Sequence, residues 1–347
     1  MGDLNTVDGK LDQIHQPRKI LVIRRDNIGD LVCTTPLLAA LRARFPDAWI
    51  GVLANSYNAP VLSGNPHVDD VFAYTKGKHV ASGQSQRWAQ WQALWQRLRL
   101  IAHLRRRRID EVILPGGEQA SARRFARWIA PRRVLVSSPA TTGHEVERSM
   151  ACLAAYGIVD VDITTPTPCT VVADVALANR LAASLPPALA GRRLIALQLS
   201  ARKPKQRWPV ERFAALARQL YAAHDCGFLL FWSPGAADDP LHPGDDAKAA
   251  ELVAQTRDLP LAAVPTHELA ELIAGLSLCD AVICSDGGAM HIAAGLGKPM
   301  VCLFGNSDAA RWHPWRVPHV LLQPESRDVA DISVAEALAA WRRLPAV

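Results

Sequence analysis

The stretch AVICSDGGAMHIAAGLGKPMVCLFG, residues 281–305, constrains the fold more than any other part of the chain. It sets a buried strand, a glycine turn, a short helix and a second buried strand one after another, the succession from which parallel sheets with crossover helices are built. The turn falls where the first strand ends and the helix begins. Backbone N–H groups are unpaired there and the helix dipole is positive, so an anion is favoured. Gly287 and Gly288 let a phosphate approach the main chain with no Cβ in the way. Asp286 before them and His291 after them add polar groups to the same rim. The stretch reads as a site for a phosphate-bearing ligand in the second half of the protein.

The same alternation runs through the rest of the chain. Residues 19–24 (KILVIR) are a short apolar run of the buried parallel-strand type, and a polar loop, RDNIGD, follows. Residues 31–45 read as one helix with Leu37, Leu38, Leu41 and Phe45 on one face. Strands are expected at 49–53, 68–74, 111–114 and 134–136, and a helix over 87–107. Pro166, Pro168, Pro186 and Pro187 then bracket a polar, alanine-rich stretch. Beyond it come strands at 194–199, 228–232 and 281–284, and helices at 211–223, 246–255, 269–276 and 334–342. At 347 residues the chain exceeds one ordinary core. The expected fold is α/β, two Rossmann-like domains whose parallel sheets face each other across a cleft. The expected division is a flexible tail (1–17), a first domain (18–170), a linker (171–190), a second domain (191–330) and a C-terminal helix (331–347). A ligand would bind in the cleft, outside the C-terminal ends of the strands.

Composition narrows the function classes. No run of 18 apolar residues occurs, and residues 1–18 lack an apolar signal core, so a cytoplasmic protein is expected. Seven cysteines without a CxxC pair fit reduced thiols, and no HExxH or Cys/His cluster suggests zinc. The net charge of +6 comes from arginines clustered at 105–108, 123–133 and 202–207. Such patches favour anionic partners, whether nucleic acid, anionic lipid or sugar phosphate.

Three elements together resemble glycosyltransferase family 9, the ADP-heptose:lipopolysaccharide heptosyltransferases and their relatives. They are Arg25-Asp26-Asn27-Ile28-Gly29-Asp30 after the opening strand, Arg207-Trp208-Pro209, and Ser285-Asp286-Gly287-Gly288-Ala289-Met290-His291 with Leu303-Phe304-Gly305. The likeness spans roughly residues 19–318. It implies a GT-B architecture, with the acceptor on the first domain and a nucleotide sugar on the second. It also implies inverting transfer of heptose, from ADP-heptose to the lipopolysaccharide inner core, by an enzyme peripheral on the cytoplasmic face of the inner membrane. No cofactor and no obligatory metal are implied.

Read alone, Asp30 is a helix cap, a position that aspartate favours. The resemblance makes it the catalytic base, with Asp26 as the rival carboxylate and Asn27 and Gly29 on the acceptor side. Gly29 would allow close approach of a ligand or a positive φ. Asp286 would repel a diphosphate, so it is expected to cap the following helix or bind a sugar hydroxyl. The N–H groups of Gly287, Gly288 and Ala289 are the better phosphate ligands. Read alone, His291 is a satisfied core histidine; by resemblance it points at the donor. The run Arg202, Lys203, Lys205, Arg207 is a solvated loop or a phosphate clamp. The family's lysine two residues before the tryptophan is Gln206 here, which leaves Lys205 and Arg207 as the candidate cations. Trp208 is expected to pack. Asp239 matches, by spacing, a nucleoside-contacting acid of the family. In residues 87–108, Trp88, Trp91 and Trp95 recur at helical spacing among arginines. Some of these tryptophans are expected to pack and the arginines to face membrane or acceptor.

Three other readings remain open at this level. They are a nucleotide-sugar epimerase on the same scaffold, a basic nucleic-acid-binding protein without a recognised motif, and a catalytically silent glycolipid-binding member of the family.

Overall fold

The computed structural model describes residues 17–74, 85–138, 142–158, 167–239 and 244–345, so residues 1–16 of the expected tail lie outside the described residues. The first lobe runs β1 (Lys19–Ile23), α1 (Ile28–Val32), α2 (Thr35–Arg44), β2 (Trp49–Asn55), β3 (Asp70–Tyr74), α3 (Ser85–Arg106), β4 (Glu111–Leu114), α4 (Ala120–Ile129), β5 (Arg133–Val136) and α5 (Glu145–Met150). Helix α6 (Val175–Ser184) falls inside the expected linker. The second lobe runs β6 (Leu194–Gln198), α7 (Val210–His224), β7 (Gly227–Trp232), α8 (Asp246–Gln255), β8 (Leu261–Pro265), α9 (Leu269–Ser277), β9 (Ala281–Ser285), α10 (Gly288–Gly295), β10 (Met300–Leu303), α11 (Ala309–Trp312), β11 (His319–Leu322) and α12 (Val334–Arg342).

Both sheets are parallel throughout, ordered β3-β2-β1-β4-β5 and β8-β7-β6-β9-β10-β11. Each sheet reverses direction once beside its first strand, between β1 and β4 in one lobe and between β6 and β9 in the other. At such a switch point the two flanking loops part and leave a crevice. The apolar strands are buried from both sides. Leu21, Ile23 and Val112 meet Phe125 and Ile129 of α4 on the outer face of the first sheet. Ile195, Phe228 and Val301 meet Phe213 and Leu220 of α7 on the outer face of the second. The inner faces share one apolar cluster, which runs from Ile20 and Val22 through Leu31 and Met290 to Cys284 and Phe304.

The helix expected over 31–45 is two helices. Pro36 has no N–H to donate and lies in the first turn of α2, so the α1 ladder cannot continue through it. The freed carbonyls of Asp30 and Val32 accept hydrogen bonds from the Thr34 and Thr35 hydroxyls, at 2.8 and 2.7 Å. The break makes α1 a single short turn, ending the β1 loop at the lobe joint.

Candidate active site

Asp30 sits at N3 of α1, and its two oxygens have different partners. Oδ2 accepts from the backbone N–H and side-chain amide of Asn27, at 3.0 and 2.9 Å. Oδ1 accepts from Arg24 Nη2 at 2.6 Å. The capping role and the place at the cleft therefore coexist. Burial would raise the Asp30 pKa, but the Arg24 guanidinium and the Asn27 donors outweigh it and hold it below the usual aspartate value. Asp30 is thus an anion at neutral pH with a weakened appetite for protons.

Arg24 is only 2% exposed and serves three carboxylates. Beside Asp30 it bonds Glu145 Oε1 at 2.6 Å and lies 3.2 Å from Asp26 Oδ2. Glu145, also buried, opens α5. Its other oxygen accepts from Nε and Nη2 of Arg311, at 2.9 and 2.7 Å, and Arg311 belongs to α11 of the second lobe. A chain of alternating charge, Asp30–Arg24–Glu145–Arg311, thus crosses from one lobe to the other. The sequence reading named none of Arg24, Glu145 and Arg311. Only the arginine that closes the apolar run 19–24 hinted at the first. Asp26, the rival carboxylate, accepts from Gln119 Nε2 at 2.9 Å and closes the first switch point.

Gly29 has its φ in the ordinary negative range, so the positive-φ alternative fails. The close approach is real, and its partner is the opposite lobe. A Cβ on Gly29 would lie 2.5 Å from His291 Cδ2. Gly288 does the reverse, since a Cβ there would meet Ile28 at 3.1 Å. The first turns of α1 and α10 therefore touch through two glycines. His291 is buried in this joint, with Nδ1 3.7 Å from Cys33 Sγ and its ring edge-on to Trp312. Burial opposes its protonation, but the Cys33 sulfur and the carboxylates of Asp286 and Asp30 outweigh that and raise its pKa.

Gly287 is the extended N-cap of α10, with open space where a Cβ would stand. The first N–H groups of α10 have no acceptor within their own helix. Asp286 does not cap α10. Its Oδ2 accepts from Gln206 Nε2 at 2.7 Å, and the same nitrogen lies 2.7 Å from Ser307 Oγ. Gln206 is buried, and its neutral amide bridges the loops after β6, β9 and β10. Arg207 donates Nε to the Ala201 carbonyl and so braces its own loop, while Lys205 is exposed. Trp208 packs as expected, edge-on to Phe213, with Nε1 donating to the Ile332 carbonyl. Asp239 is exposed on the turn after β7. The acid that organises that turn is Asp246, which accepts from Trp232 Nε1 and the Gly235 N–H.

Among the described residues no group of three or more His, Cys, Asp or Glu side chains is placed to hold a metal ion. The structure brings Asp30, Asn27, Gly29, His291 and the Gly287–Ala289 turn together at the joint of the lobes. Lys205 and Asp239 stand further out, on the loops at the strand ends of the second lobe.

Two Rossmann-like lobes with facing switch points define the GT-B class of glycosyltransferases. Residues 116–332, more than half of the chain, match glycosyltransferase family 9 (heptosyltransferase), and the protein belongs to that family. It is 28% identical over 321 residues to lipopolysaccharide heptosyltransferase 2 of Salmonella typhimurium, covering 83% of each chain. It is 27% identical over 309 residues to lipopolysaccharide heptosyltransferase 3 of Escherichia coli, again covering 83% of each. The solved structure of E. coli ADP-heptose lipopolysaccharide heptosyltransferase II superposes with a TM-score of 0.72 over 93% of this chain and 97% of that one, at 22% identity.

Proposed function

We propose that this glycosyltransferase moves a heptose from ADP-heptose to a hydroxyl of the lipopolysaccharide inner core, inverting the anomeric centre. One observation carries the reading: the Asp30 turn and the N-terminal turn of α10 pack against each other across the joint. The acceptor hydroxyl would enter at the first switch point and donate its hydrogen bond to the Asp30 carboxylate. The donor diphosphate would rest on the Gly287, Gly288 and Ala289 amides, with Asp286 drawn aside by Gln206 and with Lys205, Arg207 and Arg311 nearby as cations. Asp239 would meet the nucleoside.

As the oxygen attacks the anomeric carbon, its proton passes to Asp30 and the bond to the diphosphate oxygen breaks. Arg24 makes this transfer tolerable. When Asp30 becomes neutral, Glu145 and Asp26 still balance the guanidinium, so no buried charge is stranded. A protonated His291 would favour the charge left on the departing diphosphate. The reading needs no resident cofactor or metal, because main-chain amides and cationic side chains meet the phosphate charge.

The identities of the relatives support donor and acceptor, and a mass-spectrometric screen tests both. ADP-heptose with a heptose-deficient core acceptor should give a product heavier by one heptose, of anomeric configuration opposite to the donor, and EDTA should not reduce its yield. A sugar altered with donor alone, as an epimerase would give, or no product with any nucleotide sugar and core acceptor, overturns the reading.

A further inference from the structure

We propose that the outer face of α3 is a membrane-docking surface that lays the first lobe on an anionic bilayer. Some of its tryptophans are expected to pack, and none of the three does: Trp88, Trp91 and Trp95 are 74%, 60% and 59% exposed. Leu94 and Leu98 are exposed with them. At 100° per residue these five positions fall in an arc of about 120° along the helix. The inward arc is held by other means. Leu104 is fully buried, the Arg97 guanidinium lies over the rings of Phe125 and Trp128, and Arg107 lies over Trp49. Arg97 and Arg107 pack and the tryptophans face out, so the outer stripe contributes nothing visible to holding the helix in place.

A continuous apolar stripe of this size is unusual on a soluble surface and marks a place where something binds. Its chemistry selects the partner. Tryptophan favours the headgroup boundary, where the ring is apolar and the indole N–H stays wet. Residues 85–106 and 120–129, which form α3 and its neighbour α4, contain no Asp or Glu. Arg99, Arg105 and Arg106 are exposed on α3, as are Arg124 and Arg127 on α4. Basic side chains around an apolar stripe suit anionic headgroups above acyl chains. A second copy is disfavoured by the same charges, since a symmetric contact would set arginines against arginines.

The topology gives the surface a use. Helix α3 links β3 to β4 and runs back along the sheet, so its first turns, bearing Trp88 and Trp91, lie at the end of the sheet where β1 delivers Asp30. A lipid-borne acceptor would then reach the cleft from the surface on which the lobe sits. This last step rests on the proposed function; the docking surface does not.

The test is cosedimentation of the full chain with vesicles of phosphatidylglycerol and phosphatidylethanolamine, and separately of phosphatidylcholine alone. Binding is expected to the anionic vesicles, weakening steeply between 50 and 500 mM salt, and about tenfold weaker or more in the variant Trp88→Ser/Trp91→Ser/Trp95→Ser. Turnover on a deacylated, water-soluble core acceptor should be unchanged in that variant. That control reports the fold and the transfer reaction independently of the bilayer. Equal vesicle binding by variant and wild type, no binding by wild type, or a tryptophan-dependent dimer in sedimentation with no vesicle binding would each overturn the proposal.

Discussion

The two switch points share a topology and differ in chemistry. In the first lobe the crevice between β1 and β4 is floored by buried ions, with Arg24 surrounded by Asp26, Asp30 and Glu145. In the second, the crevice between β6 and β9 is bridged by a neutral amide, Gln206, and opens onto the amides that start α10. One sheet end holds an ionised carboxylate braced by an arginine; the other offers fixed dipoles to an anion. A shared topology places the crevice, and the residues flanking it decide which half of a transfer reaction it can serve.

The sharpest way to break this division is Asp30→Asn. The amide keeps the shape but cannot take the proton, so kcat for transfer should fall by about 10² to 10⁴ while calorimetry finds donor affinity little changed. A large loss of donor affinity instead would mean that both crevices serve the nucleotide sugar.

Next in size is Glu145→Gln. It takes one carboxylate from between two arginines, and breaking a buried pair typically costs about 3–5 kcal/mol, readable in urea unfolding. Lobes that merely touch would predict far less, because Glu145 joins Arg24 of one lobe to Arg311 of the other.

Acid should weaken the first lobe's side of the joint. His144 caps α5 through Nδ1 and donates Nε2 to the His313 carbonyl at 2.8 Å, and burial pushes its pKa down to about 4. The unfolded chain takes up that proton at about pH 6.5. Stability from this group is therefore complete above 6.5 and lost as pH falls toward 4, by at most about 3 kcal/mol. Asp30, whose folded pKa is lowered, adds a loss further down, as pH drops through its folded value. His291, whose folded pKa is raised, acts in the opposite sense, so the readout is the difference between proteins: from pH 4 to 7 the unfolding free energy of His144→Gln should gain less with rising pH than that of the wild type.

The smallest change tests the second crevice. Gln206→Lys sets a cation beside Asp286 and should lower the donor KM by less than tenfold, about 1 kcal/mol, with kcat nearly constant. A fall in kcat would place Gln206 in the chemistry itself.

How much of this the sequence disclosed depends on where the determinants lie. Residues 281–305 carried strand, turn, helix and strand in one local pattern, and all four elements stand where the pattern set them. The expected helices 246–255 and 334–342 are also observed with those bounds. The edge strands β8 and β11 went unread because their apolar runs, LAAV and VLL, are short and only half-buried, and β8 ends on a proline. The ion chain was hidden for another reason. Arg24 and Glu145 are 121 residues apart, and Glu145 and Arg311 are 166 apart. No local period reports a contact between such positions. Helix α3 has two candidate arcs, and spacing alone could not say which one faces the sheet. That was decided by Phe125, Trp128 and Trp49, which lie elsewhere in the chain.

The shared inner cluster has a bearing on how the molecule comes apart. Its apolar side chains belong to both halves at once, so a chain cut within residues 171–190 would leave each fragment with a raw, greasy flank in water. Heat should accordingly melt the halves in one cooperative event, and a calorimeter should record a single endotherm.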